Sequence, residues 1–471
     1  MEENAENVTR EQLKCILSKA QEYVTLGKFG KADSLLSELK KGMKDLREPG
    51  ELQIEYLAEI GKLNYRQGAL QEAQQHLDAA IEKGASYDRA RAYALNYRAS
   101  VEWSRGMVEN AKVYWLESLK IRKAIGDKQG IATSLNNLGM VCSNLGNIPK
   151  AIDYLKQAIE LQREAGTVEA KSFLVITIDS MAVLYRRLGA LTKAEILHQE
   201  ALDLAREIGK QDGEAWCTLN LGLVAWAKGD LEKANELLSR SLPMWPKLNI
   251  RDHFYIENLT ALAGVYTDLE VYENAEQMIE MAQNAADVLD SDFFQLFPTF
   301  SRAYFEQKRG NAASAKQLFE ICLASARAQK NFEFTIKSLV QLAHEALFEY
   351  KLTLDESSLN LAQKLVKEIL FAGIQSNMAS HQVQGGIIQG MLLIAVMDYE
   401  NAIEVLENAL KLAEDRELPK QVLKAREEIE KAKSLRERAR RLLKPTTQEE
   451  MVDEIRDYLI TYQQLLKAFK T

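Results

Sequence analysis

Five histidines and four cysteines are the residues of this chain best suited to nucleophilic, proton-transfer or metal chemistry. His76, His198, His253, His344 and His381 are far apart in sequence. Cys15, Cys142, Cys217 and Cys322 stand singly, with no CxxC pair and no histidine at ligand spacing. A structural zinc site needs closely spaced Cys and His donors, and a disulfide framework needs paired cysteines. Neither is expected, and all four cysteines read as small buried hydrophobes or neutral fillers. P-loop, GxSxG, HExxH and strand-borne GxGxxG patterns are absent. Gln384-Gly385-Gly386 comes nearest to a phosphate cradle, but nothing basic follows in register, so it reads as helix-start backbone. No catalytic residue, metal ligand or cofactor is expected.

Recognition chemistry is better represented. Asparagine amides both donate and accept hydrogen bonds, as an extended peptide main chain requires, and aromatic side chains dominate binding hot spots. Which asparagines and aromatics share a surface depends on the elements that carry them. Those elements repeat. Aligned on one small residue, the chain shows Ala32, Ala73, Ala111, Ala151, Ala194, Ala234, Ala275 and Ala315 at gaps of 41, 38, 40, 43, 40, 41 and 40 residues. Ala402 follows after 87, leaving room for a degenerate unit with Leu359 at the anchor position. Twelve positions before each anchor stands another small residue, as in Gly61, Gly139, Gly222 and Gly390. Two antiparallel helices approach closely only where the side chains at their crossing are small. Five positions before most anchors is a helix-stopping glycine, among them Gly27, Gly146 and Gly310, with Glu270 and Met397 as exceptions.

The units resemble tetratricopeptide repeats of the long, roughly 40-residue form. Ser134-Leu135-Asn136-Asn137-Leu138-Gly139, followed by Gly146, Ala151 and Ala158, is similar to repeats of kinesin light chains and of Leu-Gly-Asn-rich adaptors. This implies an all-α, right-handed superhelical solenoid of about ten helix-turn-helix repeats over residues 10–413, closed by capping helices in 418–471. The first helix of each unit lines the concave wall in this class. Counting at 100° per residue then gives Tyr93, Asn96, Tyr97, Ser100 and Trp103 from the third unit and Asn136, Asn137, Met140 and Asn144 from the fourth. The fifth supplies Asp179, Arg186 and Arg187, and the sixth Trp216, Asn220, Leu223 and Trp226. In the adaptors, asparagines at matching places hold a peptide main chain, which implies that role for Asn136, Asn137 and Asn220. Tyr93, Trp103, Trp216 and Trp226 either flank them as anchoring pockets or pack between repeats.

Bulk properties agree. The sequence is 46% hydrophobic and 27% charged with only 7 prolines, a folded helical profile. A net charge of −8 argues against general nucleic-acid binding. The longest apolar run, Gly390 to Met397, is too short to span a bilayer, and the acidic start has no secretory h-region, so a cytoplasmic location is expected. Residues 418–443 read as a charged helix ending in a basic run from Lys431 to Lys444, either solvated or seating an acidic partner. Met451, Ile455, Tyr458, Leu459, Tyr462, Leu466 and Phe469 form an apolar stripe on a last helix that caps the stack, pairs with a second copy or enters the groove. The functional expectation is a non-enzymatic scaffold or adaptor for a protein or peptide segment. A sensor of a short peptide or small ligand is the alternative.

Overall fold

The computed structural model describes residues 9–44, 46, 50–248, 253–289 and 291–442, with Val452, Arg456 and Ile460 beyond them. The expected last-helix stripe, Met451 to Phe469, lies outside the described residues. The described chain is helical and runs as consecutive antiparallel pairs: α1 (Arg10–Thr25) with α2 (Phe29–Met43), α3 (Glu51–Arg66) with α4 (Leu70–Lys83), α5 (Asp88–Ser104) with α6 (Val108–Ala124), and α7 (Lys128–Asn144) with α8 (Ile148–Ala165). Then come α9 (Val168–Arg187) with α10 (Leu191–Glu207), and α11 (Gln211–Lys228) with α12 (Leu231–Ser241) and the short α13 (Met244–Lys247). The series continues with α14 (His253–Asp268) and α15 (Tyr272–Leu289), α16 (Asp292–Lys308) and α17 (Ala312–Ala328), α18 (Phe332–Thr353) and α19 (Glu356–Gln375), and α20 (Ala379–Ala395) and α21 (Tyr399–Asp415). A single helix, α22 (Pro419–Leu442), follows. This is a solenoid of tetratricopeptide type.

The small-residue pairs do what their spacing implies. Ala151 and Ala234 have no solvent exposure. A methyl group built on Gly139 would stand 3.3 Å from the Ala151 carbonyl and 3.0 Å from Leu155 Cγ, so α7 and α8 meet with no room for a side chain. The turns are equally regular. Gly146 takes φ +79°, the Asn147 amide donates back to Cys142 O at 2.7 Å, and Asn147 Oδ1 accepts from Lys150 N at 3.4 Å, so one Gly-Asn pair ends α7 and caps α8. Glu270 and Met397 replace the glycine without changing the turn: their φ values are +60° and +64°. Leu354, five positions before Leu359, has φ +56°, which places the degenerate unit in the same register.

Two sequence expectations are corrected. Gln384-Gly385-Gly386 lies inside α20 rather than at its start; a methyl on Gly385 would be 2.7 Å from Leu370 Cδ2 and one on Gly386 would be 3.1 Å from Ala409 Cβ. Those glycines let α19 and α21 approach α20. Of the cysteines, only Cys217 and Cys322 are buried; Cys15 is exposed and Cys142 half-buried.

The chain divides into two compact units. The first comprises residues up to Pro298 apart from two turns; the second comprises those turns, Tyr185–Thr192 and Ala227–Gly229, with Thr299 onward. Pro298 lies inside α16, where it removes one backbone hydrogen bond, and the division falls there.

Unit 1 does not stop at neighbour-to-neighbour stacking. One apolar core joins Leu17, Val24, Phe29 and Leu63 of the first two pairs to Leu174, Ile178, Trp216 and Leu219 of the fifth and sixth. Further on, Ser291 Oγ donates to Ser104 O at 2.8 Å across 187 positions. In unit 2, α22 lies along α21 through ion pairs that recur at seven-residue intervals: Arg426 to Glu414 at 2.6 Å, Lys433 to Glu407 at 3.6 Å and Arg440 to Glu400 at 2.8 Å. Arg436 joins Glu400 at 3.0 Å, so much of the basic run is engaged by the preceding helix.

Candidate functional site

The asparagines expected on the wall form contacts between successive first helices. Asn137 Nδ2 on α7 donates to Asn96 Oδ1 on α5 at 3.0 Å, and Asn136 Nδ2 donates to Asn137 Oδ1 at 3.1 Å. Two repeats on, Asn220 Nδ2 on α11 donates to Asp179 Oδ2 on α9 at 3.0 Å. Both inter-helix bonds span 41 positions, one repeat. Equivalent places on adjacent units therefore bear polar groups that link side to side. His198 Nδ1, from α10 behind, lies 2.7 Å from the other Asp179 oxygen.

Not all of this polar surface is satisfied. Asn136 Oδ1, Asn144 Nδ2 and Trp216 Nε1 are buried with no hydrogen-bond partner. A buried amide atom left unpaired costs about 1–3 kcal/mol. Two donors and one acceptor of this kind match what a peptide main chain offers.

The aromatic residues are bound into packing, Trp103 within its own repeat and Tyr93, Trp216 and Trp226 between repeats. Tyr93 Oη donates to Glu59 Oε2 of α3 at 2.6 Å, and its ring centroid is 5.0 Å from that of Tyr97. Burial, with the Glu59 carboxylate beside it, holds the Tyr93 phenol well above the usual range. Trp103 packs on Trp115 at 5.9 Å. Trp226 Nε1 donates to Asp268 Oδ2 at 2.7 Å, and a methyl on Gly264 would meet the Trp226 ring at 2.2 Å, so this indole lies directly on α14. Trp216, 5% exposed, has Phe254 at 5.3 Å on one side and the Arg66 guanidinium at 4.9 Å. Arg186 belongs to a turn grouped with unit 2; it is half-buried, with an unpartnered Nε. Its neighbour Arg187 pairs with Glu333 at 2.5 Å. The structure thus links Asn96, Asn136 and Asn137 in one group and Asp179 and Asn220 in another. Trp103 and Trp226 stand in separate packing contacts.

Sequence reading missed the charged groups around Trp216. Asp212, fully buried at the start of α11, pairs with Arg66 at 2.6 Å and with Lys210 at 2.9 Å. Burial alone would raise the Asp212 carboxyl; the two cations outweigh it and hold it below its ordinary value. Burial pushes the Lys210 ammonium down, against the pull of Asp212. The Gly209-Lys210-Gln211-Asp212-Gly213 run resembles other inter-unit turns, so nothing local marked it. Among the described residues, no group of three or more His, Cys, Asp and Glu stands together to hold a metal ion, and no helix is long and apolar enough to cross a membrane.

A Rap protein in complex with competence and sporulation factor matches with a TM-score of 0.56 at 14% identity, over 78% of this chain and 99% of that one. NprR in complex with its cognate peptide NprX matches with a TM-score of 0.50 at 17% identity, over 66% of this chain and 89% of that one. The apo form of the quorum sensor NprR from B. thuringiensis matches with a TM-score of 0.50 at 17% identity, over 75% and 99%. At these identities the likeness establishes the fold alone. No curated protein matches the sequence. A tetratricopeptide repeat model matches residues 90–164, and the MalT-like TPR region model matches residues 128–418. The second match covers more than half of the sequence, and the chain belongs to the MalT-like TPR region family.

Proposed function

We propose that the chain is a non-enzymatic binding scaffold that takes an extended peptide or protein segment along the first helices of its third to sixth repeats. The observation that carries this reading is a pair of buried, unpartnered amide atoms on α7, Asn136 Oδ1 next to the Asn96–Asn137 bridge and Asn144 Nδ2 about two helical turns further on. A main chain lying across them would supply one N–H and one C=O, turning an energetic cost into directional contacts. The likeness of the fourth unit to kinesin light chain and Leu-Gly-Asn-rich adaptor repeats supports the same role. Structures of this fold include a Rap protein with competence and sporulation factor and NprR with NprX, which favours a short peptide and a sensing role as the second reading.

The test is Asn144→Ala. Removing a buried amide nitrogen that bonds to nothing leaves stability unchanged or slightly raised, so any loss of binding belongs to the ligand contact. Binders selected from a displayed library of short random peptides on the parent chain are expected to lose affinity by about tenfold or more on the variant, the worth of one good hydrogen bond. Selected peptides that bind both proteins equally would remove the asparagine row as the site.

A further inference from the structure

The last turn of α9 carries two arginines that are used differently. Arg187 donates to one oxygen of the Glu333 carboxylate on α18 at 2.5 Å, and Lys337, one turn along α18, holds the other oxygen at 2.6 Å. Ser380 Oγ, in the first turn of α20, donates to Arg187 O at 3.0 Å and so brings that turn to the end of α9. Arg186 is half-buried and, among the described residues, makes no hydrogen bond or ion pair; its Nε is shielded from solvent. Beside Ser380, the ring of His381 keeps Nδ1 buried with no hydrogen-bond partner. All of these residues belong to unit 2.

The charges here do not balance. Burial alone would raise the Glu333 carboxyl; Arg187, Lys337 and Arg186 outweigh it and hold it well below the ordinary range, so Glu333 is ionised. Burial lowers His381 to about 4, so its ring is uncharged near neutral pH. Three cations therefore surround one anion. The C-terminal end of α9 offsets about half a charge of the surplus, which leaves roughly one and a half positive charges. A phosphomonoester carries about −1.5 to −2 at pH 7, whereas a carboxylate carries only one charge and would leave the group unbalanced. The donors agree with the charge. Arginine presents a planar fork that matches paired phosphate oxygens, and the fork of Arg186 is unengaged. Arg187 and Lys337 close on Glu333, but Arg186 closes on nothing, and a guanidinium partly buried without an acceptor carries a cost that a bound oxyanion removes.

We propose that Arg186, Arg187, Lys337 and His381 form a binding site for a phosphomonoester, with the Arg186 fork as its principal donor and Arg187 and Lys337 supplying charge. Glu333 holds the last two in place and keeps the site from attracting anions of a single charge strongly. The site stands whether or not the asparagines of unit 1 take a peptide.

Isothermal titration calorimetry on the full chain tests this, in chloride buffers of matched ionic strength so that screening is constant. The probes are inorganic phosphate, the pentapeptide Ala-Ala-pSer-Ala-Ala and its unphosphorylated form. Saturable binding of phosphate or of the phosphopeptide is expected in the parent and should weaken by about tenfold or more in Arg186→Gln, the loss of a charge-assisted contact. Arg186 holds nothing in the fold, so this variant should keep the parent's urea midpoint. Arg441→Gln, which removes an exposed cation of α22, should bind as the parent does. Phosphate binding as tightly as the phosphopeptide assigns the site to a small phosphorylated molecule; a tighter phosphopeptide assigns it to a phosphorylated partner segment. Four results would overturn the proposal: no saturable binding of either phosphate probe, equal affinity for the two peptides, parental affinity in Arg186→Gln, or an equal loss in Arg441→Gln.

Discussion

Replacing Met397 by glycine is expected to stabilise unit 2, although it removes an apolar side chain. Met397 stands in the α20–α21 turn with φ +64°, where the equivalent residue of most other repeats is glycine. A left-handed conformation costs a residue with a Cβ about 1–2 kcal/mol. Glycine escapes that cost but gains unfolded-state freedom worth about 0.5–1 kcal/mol. The Met397 side chain is 63% exposed, so little burial is lost. The net is a gain of about 0.5–1 kcal/mol. Gly310 provides the converse in the same unit: its φ is +82° and a methyl group would meet nothing within 4 Å, so Gly310→Ala isolates the backbone term and should cost about 0.5–1 kcal/mol. Stability in a solenoid is local, so the measurement is urea-dependent hydrogen exchange of the amides in α20 and α21 for Met397→Gly, and in α16 and α17 for Gly310→Ala. Met397→Gly lowering protection while Gly310→Ala leaves it unchanged would refute the reasoning, because the turn would then be held by contacts and not by backbone preference.

Other outcomes follow from packing and charge. Burial lowers the pKa of His344 and of His381 to about 4, below the ordinary 6.5. Between those values the unfolded chain binds protons that the folded one refuses, so stability is full above about pH 6.5 and falls as pH drops to about 4, by roughly 3 kcal/mol per histidine. Urea midpoints of unit 2 across that range should show the slope, and a His344→Gln/His381→Gln double variant should flatten it. Ala151→Leu places a large side chain where the α8 backbone meets Gly139 and should cost about 1–3 kcal/mol, seen as early exchange in α7 and α8. Glu400→Gln removes the carboxylate shared by Arg436 and Arg440; the pairs are exposed, so thermal unfolding should change by about 1 kcal/mol or less and the difference should vanish in high salt.

Much of the architecture was legible because the repeat writes its geometry in a few residues. A small residue at each crossing, as at Gly139 and Ala151, and a left-handed turn five positions ahead of the anchor fix where each helix starts and stops. The register even carried through Glu270, Leu354 and Met397, where composition gave no turn signal. What the pattern did not carry is contact between repeats that are not neighbours. Trp216 sits at a wall position by periodicity, yet it packs under Arg66 and Lys210 because the first pairs reach across unit 1. A period of 40 residues contains no term for such a closure. The asparagines expected from periodicity on successive first helices partly satisfy one another. Asn137 donates to Asn96, and only the folded arrangement distinguishes that pair from Asn144, whose amide nitrogen has no partner.

The reach of the first repeat across unit 1 also has a consequence for synthesis. Thr25 O and the Lys210 ammonium that it binds are separated by 185 positions. At roughly 5–20 residues per second on the ribosome, the first repeat emerges about 10–40 s before the residue that fastens its turn. For most of that interval α1 and α2 have only the earlier repeats to pack on, and the apolar side of Val24 and Phe29 that meets the sixth repeat stays open until α11 follows α9. A nascent chain stalled before residue 210 is therefore expected to leave that apolar side uncovered until α11 arrives.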